Sequence, residues 1–312
     1  MPTSPTGVNG SAEAGRCVAV VVHYVDAAAT RRCVDSLLAQ QPPPRVVVVD
    51  NASPDGSGRL LEAAFEGLRD VVLWHAPANG GFGAGCNRGI ERALAHWPDL
   101  AHVLLLNPDA TLVPGALAEL EATARRHPTA GLIGCRIDRP DGSRWFANGR
   151  WPAWTLSRFH RPAPAGLDEH RTEFVTGCCM LLAGDLLRDG LRFDEDYFLY
   201  CEDADLCREV VARGRELWIT QRAVAHHGAG GSQPGEPLLG ELNAGRLYWL
   251  TRGKVLLARR RLGLLQRSVF LTVAWLLKPL LGLVHSRSSR FLGPYLRGLR
   301  DGWRAQRPVQ AP

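Results

Sequence analysis

The chain has 312 residues, of which 46% are hydrophobic and 22% are charged. This composition excludes a wholly disordered chain, and the length suits one large α/β domain with an appendage or two smaller domains. The eight cysteines are too few for a disulfide scaffold and include no C-x-x-C pair, which favours reduced, buried thiols in a cytosolic protein.

The net charge of +6 is unevenly distributed along the chain. Residues 246–312 contain fourteen Lys and Arg and one acid, a net charge of +13, whereas residues 1–245 have a net charge of −7. An acidic body with a basic C-terminal region predicts that this region contacts an anionic partner. Its cations are interleaved with Leu and Val more than with stacking aromatic residues, which favours a lipid surface over nucleic acid.

The first half of the chain alternates apolar strand patterns with helical ones. Residues 1–15 have neither a basic cluster nor an apolar core, so we predict a flexible leader and no secretory signal. Five strands are then predicted, at residues 17–24, 45–49, 71–74, 102–106 and 131–137. Helices are predicted between them, at residues 30–40, 57–65, 88–96 and 114–126. This alternation predicts an α/β fold, a Rossmann-like, mostly parallel sheet flanked by helices.

The second half is less regular. Residues 138–172 contain many prolines and three tryptophans, which predicts a long loop or a β-excursion over the sheet. The pattern then predicts a strand at 172–183, a helix at 202–213 with acids in its first turn, and a short strand at 217–220.

From Gly245 onward the pattern is helical and basic. Residues 268–277 are strongly apolar, but Arg267 and Lys278 bound them. Ten residues of helix span about 15 Å, roughly half of a bilayer core, so no membrane-spanning helix is predicted. An amphipathic helix lying in the membrane interface is favoured, and a core helix packed on the main domain is the alternative.

Polar residues follow the predicted strands at the sheet edge where ligands bind in such folds. Asp50 could accept a hydrogen bond from an N–H group of a base, or simply form a turn. Asp109, in Asn-Pro-Asp, offers the oxygen ligand that a hard divalent cation prefers, although Asn-Pro also favours turns. The glycine run 81–85 lacks both the dinucleotide fingerprint and the Walker lysine, but it opens a helix that could receive a phosphate.

Two further groups follow in the second half. Glu202, Asp203 and Asp205 crowd a helix start, and crowded carboxylates raise one another's pKa, which suits a general base. The helix dipole alone also favours acids at this position. His226 and His227 precede a glycine run and could supply a metal-binding imidazole from a flexible loop.

The order of these motifs resembles family 2 glycosyltransferases of the GT-A fold, and most closely their bacterial rhamnosyltransferase-like branch. The motifs are VVVVDNASPDGS (46–57), NGGFGAGCNRGI (79–90), LLLNPDA (104–110), FDEDYFLYCEDADLCRE (193–209) and HHGAGGS (226–232). The resemblance covers about residues 17–235. The division that follows is a leader (1–15), a GT-A glycosyltransferase domain (16–235) with a nucleotide-sugar-binding half (16–137) and an acceptor-binding half (138–235), and a basic helical C-terminal region (236–312).

The resemblance implies roles for individual residues. Asp203 matches the catalytic base. Asp109 matches the last acid of the metal-binding motif, whose first acid is replaced by Asn107. His226, with His227 as the alternate, matches a histidine that approaches the metal or the diphosphate.

The remaining implied contacts belong to the donor and the acceptor. Asp50 matches the acid that reads the imide N–H of uracil or thymine. The implied nucleotide-sugar contacts are Tyr24, Asp50, Asn51, Asn79, Gly81, Phe82, Asn87 and Asn107. Glu202, Asp205 and Gly177 are implied near the acceptor. Tyr24-Val25-Asp26 departs from the aromatic-Asn pair that usually follows the first strand, which leaves the contacts of Tyr24 open.

The implied activity is a metal-dependent, inverting glycosyl transfer with Mg²⁺ or Mn²⁺ as cofactor. The favoured donor is dTDP-rhamnose, and UDP-galactofuranose, UDP-GlcNAc and UDP-glucose are the alternatives. The acceptor is a hydroxyl of a glycan or polyprenyl-linked glycan in cell-envelope polysaccharide synthesis. The implied location is the cytoplasm, with peripheral attachment to the inner face of the cell membrane through residues 246–312.

Other classes fit less well. A nucleotidyltransferase needs a glycine-rich, lysine-bearing loop after its first strand, and residues 23–32 contain no glycine. The misplaced glycine run disfavours an NAD-dependent oxidoreductase. A non-catalytic nucleotide-sugar or nucleic-acid binding module remains the alternative of a different class. Retention of Asp50, Asp109, Asp203 and His226 together argues against an inactive homologue.

Overall fold

The computed structural model describes residues 17–157, 159–228, 243–286 and 289–305. The predicted leader (1–15), the glycine run after Gly228 and the predicted domain boundary at residue 235 lie outside the described residues.

Strands and helices alternate through the first half of the chain, as predicted. In chain order the strands are β1 (Val18–His23), β2 (Arg45–Asp50), β3 (Val71–His75), β4 (His102–Leu106), β5 (Ala110–Leu112), β6 (Ala130–Asp138), β7 (Arg144–Phe146), β8 (Asn148–Gly149), β9 (His160–Arg161), β10 (Glu169–Arg171), β11 (Cys179–Ala183) and β12 (Glu216–His227). The helices are α1 (Ala27–Leu38), α2 (Ser57–Phe65), α3 (Phe82–His96), α4 (Ala116–Arg126), α5 (Gly184–Arg188), α6 (Glu202–Ala212), α7 (Ala244–Arg261), α8 (Leu264–Thr272), α9 (Lys278–Ser286) and α10 (Leu292–Arg304).

These strands form a mixed sheet in the order β10-β12-β6-β11-β4-β1-β2-β3, with β5 added to β12 and β7 added to β6. The block β4-β1-β2-β3 is parallel, and β11 runs antiparallel between β4 and β6. The valines of β1 and β2 are buried on both faces, as continuous β-branched runs require. The predicted class, an α/β sheet flanked by helices, is confirmed.

Two predicted boundaries are wrong. Only residues 179–183 of the predicted strand 172–183 form a strand, β11. The predicted short strand 217–220 is the start of β12, which runs past an irregularity between Thr220 and Val224 to His227. Because β12 pairs with β6 on one side and β5 on the other, His226 and His227 lie on a strand held from both sides and not on a flexible loop.

Residues 138–172 form the predicted β-excursion in the part that the structure describes. β7 extends the sheet at β6, β8 and β9 form a separate two-stranded ribbon, and β10 caps the sheet edge at β12. This excursion brings Trp145 against the end of β12, beside the candidate site.

The C-terminal helices are joined to the body by ion pairs. Arg260 of α7 binds Asp194 and Asp196, and Arg261 binds Asp205 and Glu209. Both arginines belong to the basic region that the charge distribution predicted to meet an external anion. Part of that positive charge instead neutralises acids of the main domain.

The helix Leu264–Val284 consists of α8, a π-helical turn (Val273–Leu277) and most of α9. It is long and apolar enough to cross a membrane by length and composition, and its most apolar window is only 17% buried. The alternative of a buried core helix is therefore wrong for this segment. The sequence pattern limited the predicted apolar stretch to residues 268–277. The helix in the structure is longer, because it continues past Lys278.

Candidate functional site

Asp50 lies at the carboxyl edge of the parallel block, between the last residues of the two neighbouring strands. It is in register with His23 of β1 and with His75 of β3. Its carboxylate accepts hydrogen bonds from Ser53 N–H (3.0 Å) and from His75 Nδ1 (2.9 Å). Burial opposes ionisation, but these two bonds outweigh it and hold the pKa of Asp50 below its ordinary value. The site therefore contains a fixed anion that could accept a bond from a base N–H.

His75 is a site residue to which the sequence motifs assign no role. It is the last residue of β3, and that position was the available signal, since strand ends meet at one sheet edge. Gly58 leaves space for the Asp50 carboxylate, because a Cβ at this position would lie only 2.2 Å from Asp50 Oδ2.

The segment predicted to bind the donor, residues 79–82 (the donor segment), is held by asparagine side chains. Asn51 Nδ2 donates to Asn79 Oδ1 (2.9 Å) and to Gly81 O (3.1 Å), and Asn79 Oδ1 also accepts from Gly81 N–H (2.9 Å). Gly81 has a φ of 88°, and a Cβ there would lie 2.0 Å from Phe198 O. Only glycine fits this close approach, which places Phe82 at the start of α3.

Asn87 does not fit its predicted contact with the nucleotide sugar. Its side chain is buried, donates to Phe193 O (2.9 Å) and to Glu195 Oε1 (3.0 Å), and accepts from Phe193 N–H (2.9 Å). Both ends of the amide are thus used to hold the segment that precedes α6. This residue is structural, and the prediction is corrected.

Asp203 is brought next to the donor segment by Gly177. Gly177 N–H donates to Asp203 Oδ2 (3.0 Å), and Ala204 N–H donates to Oδ1 (2.8 Å). A Cβ at Gly177 would lie 3.2 Å from Phe82 Cε1 and 3.4 Å from Asp203 Cβ. Phe82, Gly177 and Asp203, three residues from distant parts of the chain, therefore meet at one point.

The remaining predicted donor contacts lie at the same sheet edge. Tyr24 follows β1 and is 44% exposed. Asn107 follows β4, and its N–H donates to the carbonyl oxygen of Cys178 (2.9 Å), the neighbour of Gly177. Their contacts with a donor remain predictions.

Glu202 and Asp203 form a pair of adjacent carboxyl groups whose pKa values are both raised. Burial, and then the adjacent Asp203 charge, raise the pKa of Glu202 to about 8. Burial also raises the pKa of Asp203, although the N–H groups of Gly177 and Ala204 stabilise its ionised form. Glu202 therefore keeps its proton near neutral pH.

Replacing Glu202 by Gln is expected to remove a pH dependence of folding stability. Unfolded glutamate loses its proton near its ordinary pKa of 4.5, whereas folded Glu202 keeps it up to about pH 8. The folded state binds more protons in this window, so wild-type stability falls as the pH rises through it. Denaturant titrations from pH 4 to 9 should show this fall in the wild type and a flatter curve in Glu202→Gln.

The matched control is Glu62→Gln, which changes an exposed glutamate of α2. Parallel stability curves for the wild type and Glu202→Gln would contradict the assignment of a buried, protonated Glu202.

Asp205 faces away from this pair. Its two oxygens accept hydrogen bonds from Arg261 Nε (2.7 Å) and Nη2 (2.8 Å), and the residue is buried. Asp205 was predicted near the acceptor. The structure instead places its carboxylate in the contact between α6 and α7.

The candidate metal position is formed by Asp109 and His227. His227 Nε2 lies 3.2 Å from Asp109 Oδ1, and Gly228 N–H donates to Asp109 O (2.7 Å). His227 is buried against the Trp145 ring (4.8 Å between centroids), whereas His226 points to the opposite, exposed side of β12. The predicted alternate, His227, is therefore the histidine at this position.

This pair fits a divalent cation whose coordination a ligand completes. The described residues contain no group of three or more His, Cys, Asp or Glu side chains that could hold a metal by themselves. One carboxylate and one imidazole suit Mg²⁺ or Mn²⁺ when diphosphate oxygens and water supply the other ligands.

Comparison with known proteins identifies the family. The family model described as "Glycosyl transferase family 2" matches residues 18–191. The chain is 30% identical over 235 residues to the N-acetylglucosaminyl-diphospho-decaprenol L-rhamnosyltransferase of Mycobacterium tuberculosis, covering 67% of this chain and 75% of that protein.

Solved structures share the fold at low sequence identity. Staphylococcus aureus TarS, residues 1–349 in complex with UDP, has a TM-score of 0.57 at 15% identity, over 92% of this chain and 80% of that chain. GalNAc-T7 with UDP, GalNAc and Mn²⁺ has a TM-score of 0.58 at 15% identity, over 78% of this chain. This chain spans 51% of that one, about half its length.

Proposed function

This chain belongs to glycosyl transferase family 2, and on that premise we propose that it transfers L-rhamnose from dTDP-rhamnose to a hydroxyl of a polyprenyl-linked glycan in cell-envelope polysaccharide synthesis. The observation that supports the reaction is the convergence of Phe82 and Asp203 on Gly177, which sets a general base beside the donor segment. The relative from M. tuberculosis supports the sugar and the lipid-linked acceptor, because its name states both.

We propose that the two halves of the domain divide the substrates. Asp50, Asn79 and Asp109 come from residues 16–137, which would bind the donor. Gly177 and Asp203 come from residues 138–235, which would bind the acceptor.

The proposed reaction is a single displacement with inversion. Asp203 takes the proton of the acceptor hydroxyl, whose oxygen attacks the anomeric carbon from the face opposite the leaving group. The bond from that carbon to the diphosphate oxygen breaks, and the nucleoside diphosphate leaves with the bonding electrons. Asp50 accepts the imide N–H of the base and orients the donor. Asp109 and His227 would hold Mg²⁺ or Mn²⁺, which would supply positive charge to the leaving diphosphate.

The donor is tested with a panel of nucleotide sugars. Purified protein is incubated with dTDP-rhamnose, UDP-galactofuranose, UDP-GlcNAc and UDP-glucose, with a polyprenyl-diphosphate-linked GlcNAc as acceptor. Transfer from dTDP-rhamnose supports the proposal. Transfer from only one of the UDP-sugars would show that this sugar nucleotide, and not dTDP-rhamnose, is the donor. The proposed reaction class would stand, since Asp50 suits uracil as well as thymine.

The metal proposal predicts different effects for the two neighbouring histidines. His227→Ala removes the imidazole beside Asp109 and is expected to weaken Mn²⁺-dependent binding of dTDP about 10- to 100-fold. His226→Ala changes the exposed neighbour on the same strand and is expected to leave that binding unchanged. Calorimetric titration of dTDP with and without Mn²⁺ measures both.

An equal loss in the two histidine variants, or none in His227→Ala, would contradict this metal position.

We also propose that the enzyme works in the cytoplasm at the inner face of the cell membrane. The lipid-linked acceptor named for the relative requires access to a bilayer, and residues 246–312 supply positive charge for an anionic surface.

A further inference from the structure

The helix Leu264–Val284 is attached to the protein along one side only. Phe270 and Ala274 are buried, and the Tyr295 hydroxyl of α10 donates to Ala274 O (2.7 Å). Lys278 lies over the Phe270 ring on the same helix. One side of the helix thus packs against the protein at α10. Lipid therefore cannot surround the helix on all sides in this arrangement.

The opposite side of this helix is an exposed apolar stripe. Consecutive members are spaced four or seven residues apart, and members four residues apart within α8 or within α9 share one face of the helix. They are Leu265, Val269, Leu276, Leu280 and Val284, and all are exposed. The stripe runs the length of 21 residues, about 30 Å of helix. Leu276 is 65% exposed and Leu280 is 61% exposed. The stripe is therefore a row of exposed apolar residues and not a single surface leucine of the ordinary kind.

We propose that this stripe inserts in the plane of an anionic bilayer, with the helix lying along the membrane surface and not crossing it. An in-plane helix buries one apolar face and keeps the opposite side on the protein, which is the arrangement seen here. The choice of lipid as the occupant rests on the proposed function, because a polyprenyl-linked acceptor is itself in the bilayer. The surrounding charge agrees, since residues 246–312 have a net charge of +13 and only part of it, including Arg260 and Arg261, is paired with acids of the main domain.

Membrane attachment through this helix would tie the main domain to the lipid surface through the helix that precedes it. The preceding helix, α7, is bound to α6 through Arg261 and Asp205, two residues beyond Asp203. The stripe and the general base therefore belong to one connected set of helices.

The proposal is tested by flotation of the full chain with vesicles of phosphatidylcholine containing about one third phosphatidylglycerol. The wild type is expected to float with the vesicles. Leu276→Glu/Leu280→Glu is expected to partition at least about tenfold less, because two leucines that would insert into the bilayer become charged. The control is Leu60→Glu, which changes a leucine of similar exposure (66%) on α2 and should float like the wild type. A second variant, Leu265→Glu/Val284→Glu, tests both ends of the stripe if the first fails to fold.

Flotation needs no turnover, so its result is independent of whether the proposed donor and acceptor are right. A wild type that stays in the dense fraction, or a double variant that floats as well as the wild type, overturns the proposal. A dimer that the same substitutions convert to a monomer, without flotation, would show that a second copy covers the stripe.

Discussion

Replacing Asp203 by Asn is expected to lower kcat about 10²- to 10⁴-fold while leaving the affinity for the donor nucleotide nearly unchanged. Asn keeps the shape of the side chain but cannot accept a proton from the acceptor hydroxyl. Asp50 and Asn79, the proposed donor contacts, lie on other elements and are not disturbed. Transfer kinetics and calorimetric titration of the nucleoside diphosphate measure the two quantities separately.

The matched control is Asp205→Asn, because it changes the same residue type two positions further along α6. Its carboxylate binds Arg261 and not the acceptor side, so it should lower stability without lowering kcat of the folded enzyme to the same extent. Near-normal turnover in Asp203→Asn would rule out Asp203 as the base. Loss of donor affinity in that variant would instead indicate a contact with the donor.

Local patterns were enough to predict the first half of the fold. The valine runs of β1 and β2 are buried on both faces, and runs of this kind are typical of central parallel strands. The position of β11 could not be predicted in the same way, because antiparallel insertion between β4 and β6 depends on contacts far apart in the sequence. The length of β12 was missed for a similar reason, since β5 and β6 hold residues that in isolation resemble a loop.

The candidate site shows the same limit at the level of side chains. Motif order predicts roles for Asp50, Asp109 and Asp203, but a motif cannot tell which way a side chain points. Asn87 is turned into the core, and His227 takes the position assigned first to His226.

The C-terminal region shows where charge counting fails. A net charge of +13 correctly indicated an unusual segment, but it could not show which cations are already paired inside the protein. Arg260 and Arg261 contact four acids of the main domain. Deleting residues 246–312 would therefore leave those acids unpaired as well as remove the proposed membrane-binding surface, and single substitutions separate the two effects.

Replacing Arg261 by Leu is expected to destabilise the fold by about 3 kcal/mol, the low end of the range for breaking a buried ion pair. The Asp205 carboxylate is nearly fully buried and would lose a bidentate partner, whereas Arg261 itself is partly exposed, which reduces the cost. Equilibrium urea unfolding measures the free energy of unfolding. The control, Arg31→Leu, breaks a pair with Asp35 in which both side chains are exposed, and it should cost less than about 1 kcal/mol.

The double variant Arg261→Leu/Asp205→Leu separates the loss of attraction from the cost of an unpaired buried charge. Removing both partners leaves no stranded carboxylate, so this variant should regain part of the stability that Arg261→Leu loses. If Arg261→Leu is as stable as Arg31→Leu, the ion pair does not hold α7 on α6. In that case the attachment of α7 to the body would rest on its other contacts, among them the pairs of Arg260 with Asp194 and Asp196.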